Sequence, residues 1–144
     1  MTPGKNSDGA SCLFCKIIAG EIPATKVYED DTVLAFLDIR PVNIGHTLVI
    51  PKAHHTNLYD TPDETLAHMM TIAKKLSVAI KGSLNTDGIN IEMNNDPVAG
   101  QIIFHSHIHI IPRFSGDGFK HWHSARDYNK DEDMEVAQKI KTFL

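Results

Sequence analysis

The stretch Phe104-His-Ser-His-Ile-His-Ile-Ile-Pro112 places three histidines at alternate positions in a run of residues that favour a β-strand. In an extended chain successive side chains point to opposite faces, so this spacing predicts that His105, His107 and His109 line one face. The β-branched isoleucines favour a strand, and Pro112 is expected to end it, because proline cannot donate a hydrogen bond to a neighbouring strand. We therefore expect this strand to carry the chemistry of the protein.

A row of three imidazoles has three interpretations: a metal site, a nucleophile with helper groups, or a chance cluster on a solvated face. The chain holds nine histidines, so one nearby pair would be unsurprising. Burying three titratable rings in an apolar run nevertheless costs desolvation free energy that a chance cluster would not recover, which disfavours this interpretation. The spacing alone does not decide between a metal site and a nucleophile.

The length and composition predict one soluble, globular domain. The chain has 144 residues, of which 42% are hydrophobic, and its mean hydropathy is -0.20, which suits a single ordinary core. A net charge of -4 provides no basic surface for nucleic acid or for an anionic membrane. An anionic substrate would therefore be held by backbone N–H groups and imidazoles rather than by a global field.

The first segment, residues 1–11, is polar and rich in Gly, Ser and Asn. We interpret it as a flexible N-terminal tail that precedes a single domain at residues 12–144. The tail lacks the apolar centre of a secretory signal, and no apolar run is long enough to span a membrane. Both features predict a cytoplasmic protein.

The chain predicts an antiparallel sheet and one long helix. Strands are expected at residues 26–29, 32–38, 46–51 and 88–93 and at the histidine stretch. The run Thr61-Pro-Asp-Glu64 predicts the start of the helix, with Thr61 as its cap, and Gly82 predicts its end. The buried stripe of this helix is predicted to comprise Leu66, Met69, Met70, Ala73, Leu76 and Ile80. Strands on both sides of one helix, without β-α-β repetition, indicate an α+β fold with a five-stranded antiparallel sheet.

The C-terminal part predicts a short helix after an irregular segment. The run Asn129-Lys-Asp-Glu132 resembles a capping box that would open this helix. Its apolar side would comprise Met134, Ala137, Ile140, Phe143 and Leu144. His121 and His123 flank Trp122, and we interpret them as exposed polar residues beside a packed ring. A substrate contact by this segment is the less favoured alternative.

The two cysteines, Cys12 and Cys15, are separated by two residues. A redox dithiol usually follows a strand of a β-α-β unit, and no such pattern precedes residue 12. A structural disulfide is disfavoured in a cytosolic chain. The third interpretation is half of a tetrahedral zinc site, which needs two further nitrogen or sulfur ligands.

Several segments, taken together and in this order, resemble the histidine triad (HIT) family. The stretch His105-Ser-His-Ile-His-Ile-Ile111 matches the family motif of three alternate histidines followed by two apolar residues. The supporting segments are Cys12-Leu-Phe-Cys-Lys-Ile-Ile-Ala-Gly-Glu-Ile-Pro23, Val33-Leu-Ala-Phe-Leu-Asp-Ile39, Gly45-His-Thr-Leu-Val-Ile-Pro-Lys-Ala-His54 and Gly100-Gln101. The resemblance is to the Hint branch, which comprises nucleoside phosphoramidases and nucleotidyl hydrolases, and it extends from about residue 12 to residue 113.

The resemblance implies a HIT-like fold whose protomers pair their sheets, so a homodimer is expected. It also implies a structural zinc ion bound by Cys12, Cys15, His54 and His105. His55 is the alternative to His54, because the sequence does not show which ring faces inward. Some relatives lack the cysteines and the metal, so a pair of buried free thiols is the alternative to zinc. No organic cofactor is expected.

For catalysis, the resemblance implies that His107 is the nucleophile, which takes the nucleotidyl group as a covalent phosphoramidate and releases it to water. A neutral imidazole is competent for this attack, and its ordinary pKa of about 6.5 leaves it mostly unprotonated at neutral pH. His109 would hydrogen-bond the phosphate oxygens near the leaving group. His46 would support the ring of His109.

The resemblance also implies a nucleotide site. Asn94, Gly100 and Gln101 match positions that contact phosphate or ribose, and Asp38 would accept hydrogen bonds from ribose hydroxyls. Ile102 stands where many Hint proteins have serine and offers only its backbone N–H, which leaves the preferred leaving group open. The base slot is implied to comprise Leu13, Phe14, Ile17, Phe36 and Ile39, and a purine is expected from the family.

The residues and the resemblance together predict a hydrolase of nucleoside 5′-phosphoramidates or related nucleotide conjugates. Hydrolysis of diadenosine polyphosphates is the alternative enzymatic function; it belongs to the fragile-histidine-triad branch, whose overall pattern fits this chain less well. A zinc-stabilised, nucleotide-binding regulatory module is the alternative of a different class. No nucleic-acid or membrane partner is expected.

Overall fold

The computed structural model describes residues 11–122 and 125–144 of the chain. Residues 1–10 of the predicted tail, and His123, lie outside the described part. His121 is exposed, as predicted. Trp122 was predicted to be packed, but it is 75% exposed, and its ring contacts His121 at a centroid distance of 4.5 Å.

The described residues form three α-helices and one five-stranded sheet. Their order is α1 (Leu13–Ile18), β1 (Lys26–Glu29), β2 (Val33–Leu37), β3 (Thr47–Pro51), α2 (Asp63–Leu84), β4 (Gly88–Glu92), a 3₁₀ turn (Pro97–Ala99), β5 (Ile108–Arg113) and α3 (Glu132–Thr142). The strand order across the sheet is β1-β2-β3-β5-β4, and each pair of neighbours is antiparallel. The predicted α+β fold with a five-stranded antiparallel sheet is confirmed.

The central strands of the sheet are covered on both faces. Successive residues of β2 point to opposite sides, so Val33 and Ala35 pack with α2, whereas Leu34 and Phe36 pack with α1. Such a strand reads as an uninterrupted apolar run because neither of its faces is solvated. Helix α1, which was not predicted, therefore completes the second half of the core.

Both ends of α2 differ from the prediction. Pro62 occupies the cap position without any side-chain capping bond, because the Thr61 hydroxyl donates to the Asn57 carbonyl at 2.6 Å instead. Gly82 lies inside the helix, which ends at Leu84 and is followed by Asn85 as its C-cap, in the left-handed conformation with φ 52 and ψ 44. A single exposed glycine destabilises a helix by only about 1 kcal/mol. The packing of the preceding turns against the sheet outweighs this cost, so the helix continues past Gly82.

The buried stripe of α2 was predicted correctly for Met69, Ala73 and Leu76, whereas Met70 was wrong. Ile72 is buried in its place, and Met70 is 48% exposed. Residues three and four apart share a helix face, so the face that buries Met69 also buries Ile72 and turns Met70 outward. Met69 has no exposed surface and therefore cannot form part of an intersubunit face.

The histidine stretch is a strand only in its second half. β5 begins at Ile108, so the strand is shorter at its start than predicted, and of the three histidines only His109 lies in it. Pro112 lies within the strand rather than at its end. Pairing of β5 with β3 stops at Ile110, whereas Pro112 pairs with Ile89 of β4, so Pro112 has no partner in β3 that would need its missing N–H.

The C-terminal helix is confirmed as α3, but its apolar side is not packed. The predicted capping box is half formed: the Asn129 backbone N–H donates to Glu132 Oε2 at 2.9 Å, while no side chain caps the helix. The large apolar residues of this segment are exposed, namely Met134, Ile140, Phe143 and Leu144. None of the described helices combines the length and apolarity needed to cross a bilayer.

Candidate active site

Two clusters of polar side chains lie at the start of β5, with His107 between them. His105 meets the cysteines at the start of α1 and the residue that follows β3 by three positions, His54. His109 meets His46, which lies just before β3. The rings of His107 and His109 have a centroid distance of 4.9 Å. The antiparallel pairing of β3 with β5 brings these groups together from distant parts of the chain.

The first cluster has the dimensions of a four-ligand metal site. Cys12, Cys15, His54 and His105 each offer one ligand atom, and these atoms all lie within 4.8 Å of one another. The Nδ1 atom of His105 is 3.4 Å from Cys12 Sγ, 3.5 Å from Cys15 Sγ and 3.2 Å from His54 Nδ1. Tetrahedral zinc, with bonds of about 2.0–2.3 Å to nitrogen and sulfur, needs ligand atoms at roughly such separations.

The imidazole of His105 is oriented for metal binding. Its Nε2 atom lies 2.7 Å from the Pro51 carbonyl oxygen, which can only accept a hydrogen bond, so Nε2 carries the proton. Burial lowers the pKa of His105 to about 4, so the ring is neutral at neutral pH. Its Nδ1 lone pair therefore faces the two thiols, and the backbone carbonyl fixes this tautomer as is usual for metal ligands.

The structure brings His54 into this cluster rather than its neighbour His55. The Nδ1 atom of His54 is 3.3 Å from Cys15 Sγ, whereas the His55 backbone carbonyl accepts a hydrogen bond from Ser106 N. Without a cation, burial and the neighbouring Cys12 raise the pKa of Cys15 to about 11. A bound divalent cation would reverse this by stabilising the thiolate. The donor set of two sulfur and two nitrogen atoms fits a structural zinc ion with no open position.

His107 presents a free lone pair. Its Nδ1 atom is 2.6 Å from the His105 carbonyl oxygen, so the proton sits on Nδ1 and Nε2 has no proton. Burial lowers the pKa of His107, which keeps the ring neutral at neutral pH. The ring also packs edge-on against Phe14 at a centroid distance of 5.2 Å. These contacts hold a nucleophilic nitrogen in one orientation.

His46 and His109 form a hydrogen-bonded pair with one order of protons. The Val42 backbone N–H donates to His46 Nδ1 at 3.0 Å, so the neutral His46 ring carries its proton on Nε2. This Nε2 lies 3.0 Å from His109 Nδ1, which must accept, so His109 carries its own proton on Nε2. Burial, together with His107 and His46, lowers the pKa of His109 to about 4, and burial also lowers that of His46.

Asp38 lies beside this pair. Its Oδ1 atom accepts a hydrogen bond from the Arg40 backbone N–H at 2.8 Å, and its Oδ2 atom is 3.7 Å from His46 Nε2. The carboxylate is partly exposed. Asp38, His46 and His109 also have ligand atoms within 4.8 Å of one another, but a hydrogen bond already accounts for the contact between the two rings.

The 94–102 loop contains the residues that were predicted to contact phosphate. Gly100 has a φ of +96, a backbone conformation that favours glycine, although a Cβ added there would make only an ordinary contact with Asn94 Nδ2 at 3.6 Å. The Gln101 side chain is buried and bonded within the protein. The backbone N–H groups of Gly100 and Gln101 donate to the carbonyls of Pro97 and Asp96.

The five residues of the predicted base slot are not equally accessible. Phe14, Ile17 and Phe36 are buried in the core between α1 and the sheet, with the two phenyl rings 5.5 Å apart. Leu13 is exposed, and Ile39 is 95% exposed. Of the five, only Leu13, which is 41% exposed, and Ile39 offer exposed side-chain surface to a ligand, whereas Phe14, Ile17 and Phe36 belong to the core.

The sequence interpretation missed the backbone groups that set the histidine tautomers. The carbonyls of Pro51 and His105 and the N–H of Val42 each hold one ring. Every residue has a backbone carbonyl, so residue type does not show which carbonyl or N–H will bond a histidine ring. The only sequence signal for these contacts was that Val42 and Pro51 lie within a few residues of His46 and His54.

Comparisons with known proteins identify the family to which the chain is similar. The model of the HIT domain matches residues 19–116. Protein hit of Bacillus subtilis is 50% identical over 127 residues, which cover 87% of this chain and 88% of that protein. The adenylylsulfatase HINT3 of Arabidopsis thaliana is 43% identical over 129 residues, which cover 90% of this chain and 66% of that protein.

Solved structures show the same fold. A member of the HIT family from Bacillus subtilis has a TM-score of 0.86 at 45% identity, covering 92% of this chain and 96% of that one. A Zn-bound histidine triad family protein from Mycobacterium smegmatis has a TM-score of 0.74 at 40% identity, covering 94% and 99%. Because the family model and these relatives span most of its length, the chain belongs to the HIT domain family, with Hint-like homologues.

Proposed function

We propose that this protein hydrolyses nucleoside 5′-phosphoramidates or related nucleotide conjugates through a covalent intermediate on His107. Membership of the HIT family supports a nucleotide-binding or nucleotide-hydrolysing function, and one relative is named an adenylylsulfatase. The observation that carries the finer proposal is the 2.6 Å contact between His107 Nδ1 and the His105 carbonyl. It leaves the Nε2 lone pair of a neutral, buried imidazole available for attack on phosphorus.

The reaction would proceed in two steps. His107 Nε2 bonds to the phosphorus as the bond to the leaving group breaks, and water then cleaves the resulting phosphorus–nitrogen bond and restores the imidazole. His109, whose Nε2 carries a proton, would donate a hydrogen bond to the phosphate oxygens near the leaving group. His46 would keep His109 in this tautomer through the 3.0 Å contact with its Nδ1. Asp38 would accept from the ribose hydroxyls through its partly exposed carboxylate.

We also propose that zinc, held by Cys12, Cys15, His54 and His105, has a structural role. The site would have four protein ligands and therefore no open position for substrate. Bound there, zinc would supply a crosslink between α1, the segment after β3 and the start of the histidine stretch. The Zn-bound histidine triad protein from Mycobacterium smegmatis supports this proposal through its similarity to this chain.

The test compares turnover of adenosine 5′-phosphoramidate, adenylyl sulfate and a diadenosine polyphosphate by the wild type and His107→Ala. We expect the phosphoramidate or adenylyl sulfate to be the better substrate, and His107→Ala to lose nearly all turnover while it still binds AMP. Mass spectrometry after a rapid, acid-free quench should find a nucleotidyl adduct on the peptide that contains His107.

The matched control is His68→Gln, which replaces a histidine of α2 whose side chain bonds Asp30 and no residue of the site, and it should leave turnover unchanged. Faster cleavage of the diadenosine polyphosphate would favour that alternative substrate. AMP binding without turnover of any of the three would favour the regulatory module. Substantial activity in His107→Ala, or an adduct on His105 or His109, would show that His107 is not the nucleophile.

A further inference from the structure

Two loops meet beside the histidine stretch. The first, residues 54–61, follows β3 and carries the metal-ligating candidate His54; we call it the metal loop. The second is the 94–102 loop, which lies between β4 and the histidine stretch. The two loops belong to different parts of the fold, and no strand pairing joins them. Side-chain hydrogen bonds of Gln101, Asn95 and Tyr59 connect them, and only those of Gln101 are buried.

The Gln101 amide uses its hydrogen-bonding groups inside the protein. Its Nε2 donates to the Thr56 carbonyl at 2.7 Å and to the Ile103 carbonyl at 3.1 Å. Its Oε1 accepts from the Asp96 backbone N–H at 2.9 Å and lies 3.5 Å from Asn57 Nδ2. The side chain is 4% exposed. It therefore holds the two loops together and has little capacity left for a ligand.

The partner of Gln101 on the metal loop, Thr56, lies two residues from His54. The same loop is also bonded to the histidine stretch, because Ser106 N donates to the His55 carbonyl at 2.6 Å. Any ion that fixes His54 against His105 also fixes the chain between His54 and the Thr56 carbonyl. That carbonyl is the acceptor through which Gln101 orients the 94–102 loop.

We propose that Gln101 is a positioning residue that ties the 94–102 loop to the metal loop, so that metal binding and phosphate binding strengthen one another. The role of the loop toward phosphate rests on the proposed function. Each ligand orders part of one connected unit, so the second to bind loses less conformational freedom. By linkage, the metal changes nucleotide affinity by the same factor as the nucleotide changes metal affinity.

Two further contacts join the same loops, and both are exposed. The Leu58 backbone N–H donates to Asn95 Oδ1 at 2.8 Å, and the contact of the Tyr59 hydroxyl provides a matched control. The Tyr59 hydroxyl donates to Asp96 Oδ2 at 3.2 Å, but the Tyr59 side chain is 72% exposed. Water can replace an exposed hydrogen bond at little cost, whereas the buried amide of Gln101 cannot be replaced without leaving its partners unpaired. Tyr59→Phe should therefore preserve the coupling that Gln101→Met removes.

The experiment uses the full chain with and without one equivalent of Zn²⁺, as wild type, Gln101→Met and Tyr59→Phe. The first measurement is amide hydrogen exchange of the 94–102 loop, which requires neither nucleotide nor turnover. The second is AMP affinity by calorimetry. In the wild type and Tyr59→Phe, Zn²⁺ should slow exchange in this loop and tighten AMP binding about fivefold or more. In Gln101→Met, exchange should be fast with or without Zn²⁺, and AMP affinity should change less than twofold.

The inference would be overturned if Zn²⁺ did not change hydrogen exchange in the 94–102 loop of the wild type. This holds whether the metal fails to bind or binds without an effect on the loop. This comparison needs no variant, so it decides the matter even if Gln101→Met does not fold. A folded Gln101→Met that keeps the full response to Zn²⁺ would also overturn it. If the wild type does not bind AMP, the proposed function fails, while the exchange measurement still decides the role of Gln101.

Discussion

The protonation states of the four site histidines depend on three backbone groups. The Pro51 carbonyl keeps a proton on His105 Nε2, and the His105 carbonyl keeps one on His107 Nδ1. The Val42 N–H donates to His46 Nδ1, so the proton of His46 is on Nε2. His109 then follows from His46 through the 3.0 Å contact between their rings. Each ring has a lowered pKa because burial disfavours its charged form. The rings are therefore neutral, and His107 differs from the other three because its proton is on Nδ1 rather than on Nε2.

This difference orders the effects of replacing the histidines. His109→Ala removes a positioning hydrogen bond and should slow turnover on the order of a hundredfold or more, while the adduct on His107 should still form. The measurement is the steady-state rate together with the yield of the adduct peptide. His107→Ala is the comparison, since it should yield no adduct. A His109→Ala enzyme without any adduct would contradict the separate roles of these two residues.

The lowered pKa of His109 predicts a pH dependence of stability. Because its folded pKa is about 4 and its unfolded pKa is about 6.5, the unfolded chain takes up the proton first as the pH falls. The free energy of unfolding should therefore decrease between about pH 6.5 and pH 4, by at most about 1.4 kcal/mol per pH unit for this group. Above pH 6.5 the contribution of His109 should be constant.

Urea unfolding of the wild type and His109→Asn across this pH range checks the prediction. The difference between the two proteins isolates His109 from the other buried histidines and from acid release of a metal. It should change between pH 6.5 and pH 4 and be flat above. A difference that is constant across the whole range would show that the pKa of His109 is not lowered in the folded protein.

At the scale of elements, α1 is a helix of six residues, too short to be stable alone. It packs through Phe14 and Ile17 against β2 and β3. The cap of α1 is Cys12, whose Sγ accepts from Cys15 N at 3.4 Å. Two of the four proposed zinc ligands, Cys12 and Cys15, thus lie at the first turn of this short helix, and metal binding and helix docking should support one another.

We predict about one zinc ion per chain and a specific effect of Cys12→Ser. The variant should lose the metal and melt about 5 °C or more below the zinc-loaded wild type, because the remaining three ligands no longer close the site. Elemental analysis and thermal unfolding provide the two measurements. Metal-free wild type is the control and should melt near the variant. A folded wild type that holds no metal, with two reactive thiols, would show that the cluster is not a zinc site.

At the scale of the whole molecule, the surface of α2 next to β4 is the strongest candidate for self-association. An open groove there is lined mainly by apolar side chains, namely Leu58, Leu66, Ala67, Met70 and Met93. β4 is an edge strand of the sheet, and unpaired edges favour pairing with another chain. These features support the proposal that two protomers associate along this edge.

We predict a homodimer that Met70→Glu converts toward monomer, because the charge would have to be desolvated in the interface. The measurement is light scattering at micromolar concentration. Val78→Glu is the matched control, since Val78 is an exposed apolar residue of the same helix that does not line the groove. A monomeric wild type, or a Met70→Glu variant that remains dimeric, would contradict this interface.

The sequence by itself determined most of the fold. Alternating and continuous apolar runs placed all five strands, with β1 at residues 26–29 as predicted and β2, β3 and β4 within about a residue at each end. The helical spacing of Met69, Ala73 and Leu76 identified the buried face of α2. The spacing of the cysteines and of the three alternate histidines indicated candidate metal ligands and a candidate catalytic stretch, whereas His46 and His54 were implied only by the resemblance to the HIT family. The strands, the helix face and the two spacing motifs are local features, so residue type and periodicity suffice to predict them.

Only the tertiary structure decided how the site residues are used. It selected His54 over His55, placed the start of β5 after His107, and committed the Gln101 amide to Thr56 and Asp96. Each of these outcomes depends on a contact between segments far apart in the chain. A side chain that is free to bind a ligand and one that bonds the backbone of a distant loop have the same residue type, so local sequence cannot distinguish them.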